Sequence, residues 1–148
     1  MPAPFIPLHP SPPAHMTPRM LETVRAGFPS TAAPYTTDGL DFNRYLVSNP
    51  AATFALYAAG DSMSDAGISD GDLLVVDRAR QALSGDIVVA RIGTAFTVKR
   101  LRVQKGLPAL YAENAAHAYP VLQPTPGEEW ELVGVVTFIV KKACPRSR

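Results

Sequence analysis

The chain has 148 residues, 47% hydrophobic and 18% charged, with a formal net charge of +1. That length can bury a real core in one domain, and the charge balance argues against a dedicated nucleic-acid or membrane-surface binder. No run approaches the ~20 apolar residues of a membrane span, and the single cysteine, Cys144, excludes an internal disulfide framework and suits a reducing, cytoplasmic setting.

Nine of the 15 prolines fall in the first 34 residues. Proline has no backbone donor and a fixed φ, so this stretch cannot form a helix interior or a central strand. Residues 1–38 are therefore expected to be a flexible, proline-rich arm. Its start, "MPAPFIPLHPSPPAHM", lacks the basic head and apolar stretch of a signal peptide. In "GLDFNRYLVSNP" (39–50) the apolar spacing at 42, 45 and 46 predicts one short helix, capped by Asp41 and ended by Asn49-Pro50.

From Thr53 the pattern turns to β. "TFALYA", "DLLVVD", "DIVVARI", "AFTVKRLRV" and "WELVGVVTFIVKK" are rich in β-branched and aromatic residues and are parted by glycine- and aspartate-bearing turns. Gly-Asp precedes two of them, at 71–72 and 85–86, which reads as one turn chemistry used twice. Residues 39–148 are thus expected to form a single, mostly β, largely antiparallel domain.

Few kinds of site chemistry are available. His9 and His15 lie in the arm, His117 stands alone, and no His/Cys cluster has zinc spacing, so neither a metal nor a cofactor is expected. Four aspartates crowd residues 61–72, but an EF-hand register with Gly71 at its sixth position puts Ala66 and Ile68 where ligands are needed. "GDSMS" lacks the second glycine of a nucleophile elbow. Cys144, near the tail, has no obvious partner.

Ser62 in "GDSM" and Lys99 in "FTVKRL" remain. Alone, the first is an ordinary turn serine and the second a solvated strand lysine. Strand alternation changes this. Ala95, Thr97, Lys99, Leu101 and Val103 share one mostly aliphatic face, while Phe96, Val98, Arg100 and Arg102 share the other. A lysine on a core face is costly. It also has a use: free lysine titrates near pH 10.4, so only about one in 2,500 is neutral at pH 7, and burial favours the neutral amine. Such an amine beside Ser62 can take the hydroxyl proton as the oxygen attacks a carbonyl, with no histidine needed.

"YAAGDSMSDAGISDGDLLVVD" and "GDIVVARIGTAFTVKRL" resemble the serine-lysine self-cleaving proteins of the LexA/UmuD type, over about residues 21–142. The resemblance implies a β domain of the LexA C-terminal type, with Ser62 as nucleophile, Lys99 as general base and acid, and the backbone N–H groups of Ser62 and Met63 as oxyanion donors. It places the cut between Ala26 and Gly27 in "VRAGFPS". Small residues there let backbone approach a buried nucleophile, and the stretch from Gly27 to Thr53 reaches up to ~85 Å when extended. The implied setting is the SOS response to DNA damage. A RecA–single-stranded-DNA filament would promote cleavage, and the trimmed homodimer would join a UmuC-like subunit of a translesion polymerase. The proline-dense stretch before Met20 departs from the family pattern.

Two other classes stay open. A LexA-like repressor needs a DNA-reading domain ahead of the cut, and the prolines there exclude a helix-turn-helix, so sequence-specific DNA binding is not expected. A non-catalytic β interaction module would keep Ser62 and Lys99 without using them. A membrane signal peptidase shares the Ser-Lys chemistry but needs an anchor. "LVGVVTFIV" (132–140) reads as a contributor to a dimer or as a buried core strand.

Overall fold

The structure is a computed structural model and describes residues 6–7, 16–17, 26–27 and 39–144. Most of the expected arm, with His9 and His15, lies outside them. The first strands are two-residue pieces: β1 (Ile6–Pro7), β2 (Met16–Thr17) and β3 (Leu40–Asp41). The helix α1 is Phe42–Leu46, shorter than the spacing predicts. Asp41 caps it as expected, its carboxylate accepting from the N–H of Asn43 and Arg44, a contribution of about 1 kcal/mol. It stops at Val47, before Asn49, and Pro50–Ala52 makes a separate 3-10 turn.

The remaining strands are β4 (Thr53–Tyr57), β5 (Leu73–Asp77), β6 (Ile87–Ile92), β7 (Ala95–Gln104), β8 (Leu107–Tyr111) and β9 (Trp130–Val140). With β1 they form one antiparallel sheet in the order β1-β4-β5-β9-β6-β7-β8. The fold is mostly β, as the sequence predicts. The run 132–140 belongs to β9, which pairs with β5 on one side and β6 on the other, so it is a central strand. Register shifts at Val75/Val76 and Val89/Ala90 bend the sheet around β9. There Gly134 passes so close to β5 that a Cβ would lie 2.7 Å from Val76 Cγ1 and 2.9 Å from the Asp77 carbonyl.

The core has two clusters. One gathers Phe54, Leu56, Met63, Ile68, Leu74, Val76 and Val89; the other gathers Val88, Ala90, Leu101, Leu110 and Val135. Each fully buried aliphatic, such as Leu74 or Leu101, contributes roughly 1.5–3 kcal/mol. The Gly-Asp turns do repeat. Asp72 and Asp86 each accept from the N–H three residues back, Ser69 and Leu83, and Gly71 and Gly85 both take positive φ.

The strand β8 was not expected, because Pro108 and Ala109 break its β pattern. Pro108 is tolerated because β8 ends the sheet. Leu110 turns its backbone outward, exchanging bonds with Leu122, and two residues earlier the missing N–H of Pro108 faces away from β7 as well. At the opposite end, β4 offers its outer edge to β1, with Ile6 opposite Ala55 and Pro7 opposite Phe54.

Candidate active site

Between β4 and β5 the chain makes a tight loop that carries Ser62. Gly60 sits at φ +83, where a side chain would be strained, and its N–H donates to the Asp70 carboxylate at 2.8 Å. Ser64 N–H donates to the Asp61 carbonyl at 3.1 Å, closing a four-residue turn with Ser62 and Met63 at its centre. Met63 and Ile68, each 3% exposed, root the loop in the first core cluster. The central residues of such a turn have no backbone acceptor within it. Among the described residues the N–H groups of Ser62 and Met63 donate to nothing.

Lys99 comes from β7. Its Nζ lies 3.0 Å from Ser62 Oγ and 2.7 Å from Thr97 Oγ1. Lys99 is 9% exposed and has no ion-pair partner among the described residues. Burial without a compensating carboxylate pushes its pKa below the ordinary 10.5. The pair opens onto a cleft of about 190 Å³, walled by Leu56, Ala58, Ile68 and Val98 among others.

The simple alternation expected for 95–103 needs correction. Lys99 and Leu101 are buried, but Ala95 and Val103 on the same face are exposed. On the other face Phe96 and Val98 pack against the first core cluster. Both sides of β7 are therefore apolar around Lys99. Arg100 is held in a two-pronged contact with Glu113, at 2.6 and 2.9 Å, which keeps the Glu113 carboxyl below its usual range. The guanidinium of Arg102 lies over the Tyr111 ring.

Of the four aspartates of 61–72, Asp70 and Asp72 fix the loop itself, while Asp61 and Asp65 reach the segment after β8. Asp65 accepts from Ala115 N–H, Asp70 from Gly60, and Asp72 from Ser69 N–H and Lys141. Asp61 accepts from Tyr119 and lies 2.9 Å from His117 Nδ1, so His117 does not stand alone. The Tyr119 hydroxyl foremost, then His117, lowers the Asp61 pKa, and Asp61 in turn raises that of Tyr119. Among the described residues no three His, Cys, Asp or Glu side chains could hold a metal ion, and no helix is long and apolar enough to cross a membrane. Cys144 is exposed and unpaired.

Ala26 and Gly27 lie exposed in a bend, with Gly27 at φ +106 and, among the described residues, nothing that a Cβ there would touch. No hydrogen bond joins them to Ser62 or Lys99 among the described residues. Three partners escaped the sequence analysis: Thr97, Glu113 and Asn114. Thr97 shares the face of Lys99 two residues away, and that spacing was its signal. Glu113 and Asn114 contact the Ser62 turn mainly at backbone atoms, which leave no mark in a sequence.

A family model described as Peptidase S24-like matches residues 18–137. The protein SamA of Salmonella typhimurium (strain LT2) is 47% identical over 125 residues, 84% of this chain and 85% of SamA. The protein ImpA of Escherichia coli is 43% identical over 129 residues, 87% of this chain and 86% of ImpA. A LexA repressor from Paracidovorax citrulli is 44% identical over 88 residues, 60% of this chain but 38% of the repressor.

Proposed function

Because the chain belongs to the Peptidase S24-like family, we propose that it is a serine peptidase that cuts its own chain between Ala26 and Gly27. The observation that carries this is the 3.0 Å contact between Ser62 Oγ and a buried lysine amine that has no carboxylate partner among the described residues. Residues 1–38 act as the arm that supplies the substrate bond, and 39–148 as the domain that cuts it.

The steps follow from the chemistry of the pair. Neutral Lys99 Nζ takes the Ser62 hydroxyl proton as Oγ attacks the carbonyl carbon of Ala26. One N–H of the amine stays on Thr97 Oγ1 and holds it in place. The oxyanion that forms is met by the unused N–H groups of Ser62 and Met63. As the Ala26–Gly27 bond breaks, Lys99 returns the proton to the Gly27 nitrogen. Water, deprotonated by Lys99, then attacks the ester, releasing the Ala26 carboxylate and restoring Ser62.

The family resemblance supports a role in the SOS response to DNA damage. In this reading a RecA–single-stranded-DNA filament promotes the cut, and the trimmed homodimer serves as accessory subunit of a UmuC-like, error-prone translesion polymerase. The deciding experiment is intact mass spectrometry of the purified chain, incubated with activated filament or at raised pH. The expected product begins at Gly27 and is absent from Ser62→Ala. A different new N-terminus removes the assignment of the cut. Pull-downs with the polymerase subunit test the second half: equal binding of the uncut Ser62→Ala chain and a chain starting at Gly27 would mean that cleavage is not the switch.

A further inference from the structure

The two unused N–H groups of the Ser62 turn are halves of planar peptide units, so each points where the carbonyl of its own unit dictates. The Ser62 N–H shares a unit with the Asp61 carbonyl, and the Met63 N–H shares one with the Ser62 carbonyl. Both carbonyls are tied to one short strap that follows β8. Asn114 Nδ2 donates to the Asp61 carbonyl at 2.8 Å, and Glu113 N–H donates to the Ser62 carbonyl at 2.8 Å. The strap is itself anchored. The Glu113 carbonyl accepts from Asp65 N–H at 2.9 Å, and its carboxylate grips Arg100, the neighbour of Lys99 on β7.

The Asn114 amide has one consistent orientation. Its Oδ1 accepts from the N–H groups of Ala116 and His117, at 2.9 and 3.1 Å, which leaves Nδ2 to face the Asp61 carbonyl. Glu113 contributes through its backbone, and any residue but proline offers that N–H. Asn114 contributes through its side chain.

We infer that Asn114 is a positioning residue for the oxyanion donors: its amide, bound to the Asp61 carbonyl, aims the Ser62 N–H into the cleft. The inference rests on the reading of Ser62 as nucleophile. It acts on the transition state and leaves the base untouched, since Asn114 makes no contact with Lys99.

Asn114→Ser tests this. A serine keeps a neutral acceptor near the Ala116 and His117 N–H groups but is too short to reach the Asp61 carbonyl. Self-cleavage of the full chain is followed by intact mass across a pH series, beside a thermal melt. The expected result is a plateau rate at high pH lower by about 10- to 100-fold, the scale of a compromised oxyanion donor, with the pH midpoint unchanged. A plateau within twofold of the parent chain overturns the inference. So does a lowered plateau with a shifted midpoint, which would mean that Asn114 acts through Lys99. If Asn114→Ser does not fold, Asn114→Ala is judged on the same two quantities. Cleavage of Ser62→Ala at the parental rate would instead overturn the reading of Ser62, and this inference with it.

Discussion

The Ser62 turn and the Ala26–Gly27 bend are built to opposite specifications. The turn is anchored by Met63 in the core, closed by its own backbone bond, and gripped from outside by Glu113 and Asn114. The bend is exposed, and among the described residues nothing lies within 4 Å of where a Gly27 Cβ would sit. For the proposed cut of the chain by its own serine, this division is what the chemistry asks for. Catalytic groups gain from being fixed before the reaction, whereas the bond to be cut must be free to enter the cleft.

Breaking the fixed partner outright should have the largest effect. Ser62→Ala and Lys99→Ala should each lower self-cleavage by roughly 10⁴-fold or more and leave a folded β domain. Lys99→Arg should be equally inactive, because a guanidinium does not give up its proton. Robust cleavage by folded Lys99→Ala would remove the Ser-Lys mechanism. Loosening the turn from below is the next test. Met63→Ala should cost about 2–5 kcal/mol of stability and slow cleavage in the fraction that stays folded; an unchanged melting temperature would show that Met63 does not root the turn.

At the bend the pattern reverses. Gly27→Val cannot keep the φ of +106 that Gly27 adopts, so the exposed bend relaxes at little cost to stability, and the branched side chain crowds the attacked bond. It should slow cleavage by roughly 10- to 100-fold while the thermal midpoint hardly moves. A large loss of stability would mean that the bend is packed and not merely presented.

The smallest effects come from titration. With the Lys99 pKa lowered by burial, uncatalysed cleavage should rise with pH through that pKa and then level off. A rate that peaks near neutrality and falls would name another base. Stability carries the same signature. Between the lowered pKa and 10.5 the unfolded chain holds one more proton than the folded one, so stability rises with pH across that window. In Lys99→Ala this rise should disappear. Parallel slopes in denaturant titrations of the two proteins would show that Lys99 does not titrate as a buried amine.

How far the sequence reached depends on what kind of group carries each feature. The contact between Ser62 and Lys99 was legible because Lys99, an amine between aliphatic neighbours, stands out in its strand; Ser62, an ordinary turn residue by itself, gained meaning only beside it. The resemblance carried by "YAAGDSMSDAGISDGDLLVVD" and "GDIVVARIGTAFTVKRL" also held, since a Peptidase S24-like match covers 18–137. The repeated Gly-Asp turns were readable because aspartate and positive-φ glycine have local causes. The second apolar side of β7 was hidden, because Val98 and Phe96 meet a cluster assembled from distant strands. The strap was hidden for a different reason: Asn114 meets Asp61 across 53 positions, and it does so at a backbone carbonyl.

The pairing of β1 with the outer edge of β4 carries one more consequence, which concerns concentration. While the chain is whole, Ile6–Pro7 is covalently joined to the sheet it pairs with, so its local concentration is set by the connecting chain and not by the amount of protein in solution. Hydrolysis after Ala26 would leave that two-residue strand on a separate peptide, present only at the concentration of the protein itself. So few pairs cannot hold a peptide by themselves, and the fragment would dilute away. The edge of β4 would then stand open, its N–H and C=O groups in register for a strand from another polypeptide, whereas Pro108 leaves a gap in the donors of the far edge at β8. One hydrolysis would thereby leave the sheet with a berth at β4 that its own chain no longer fills.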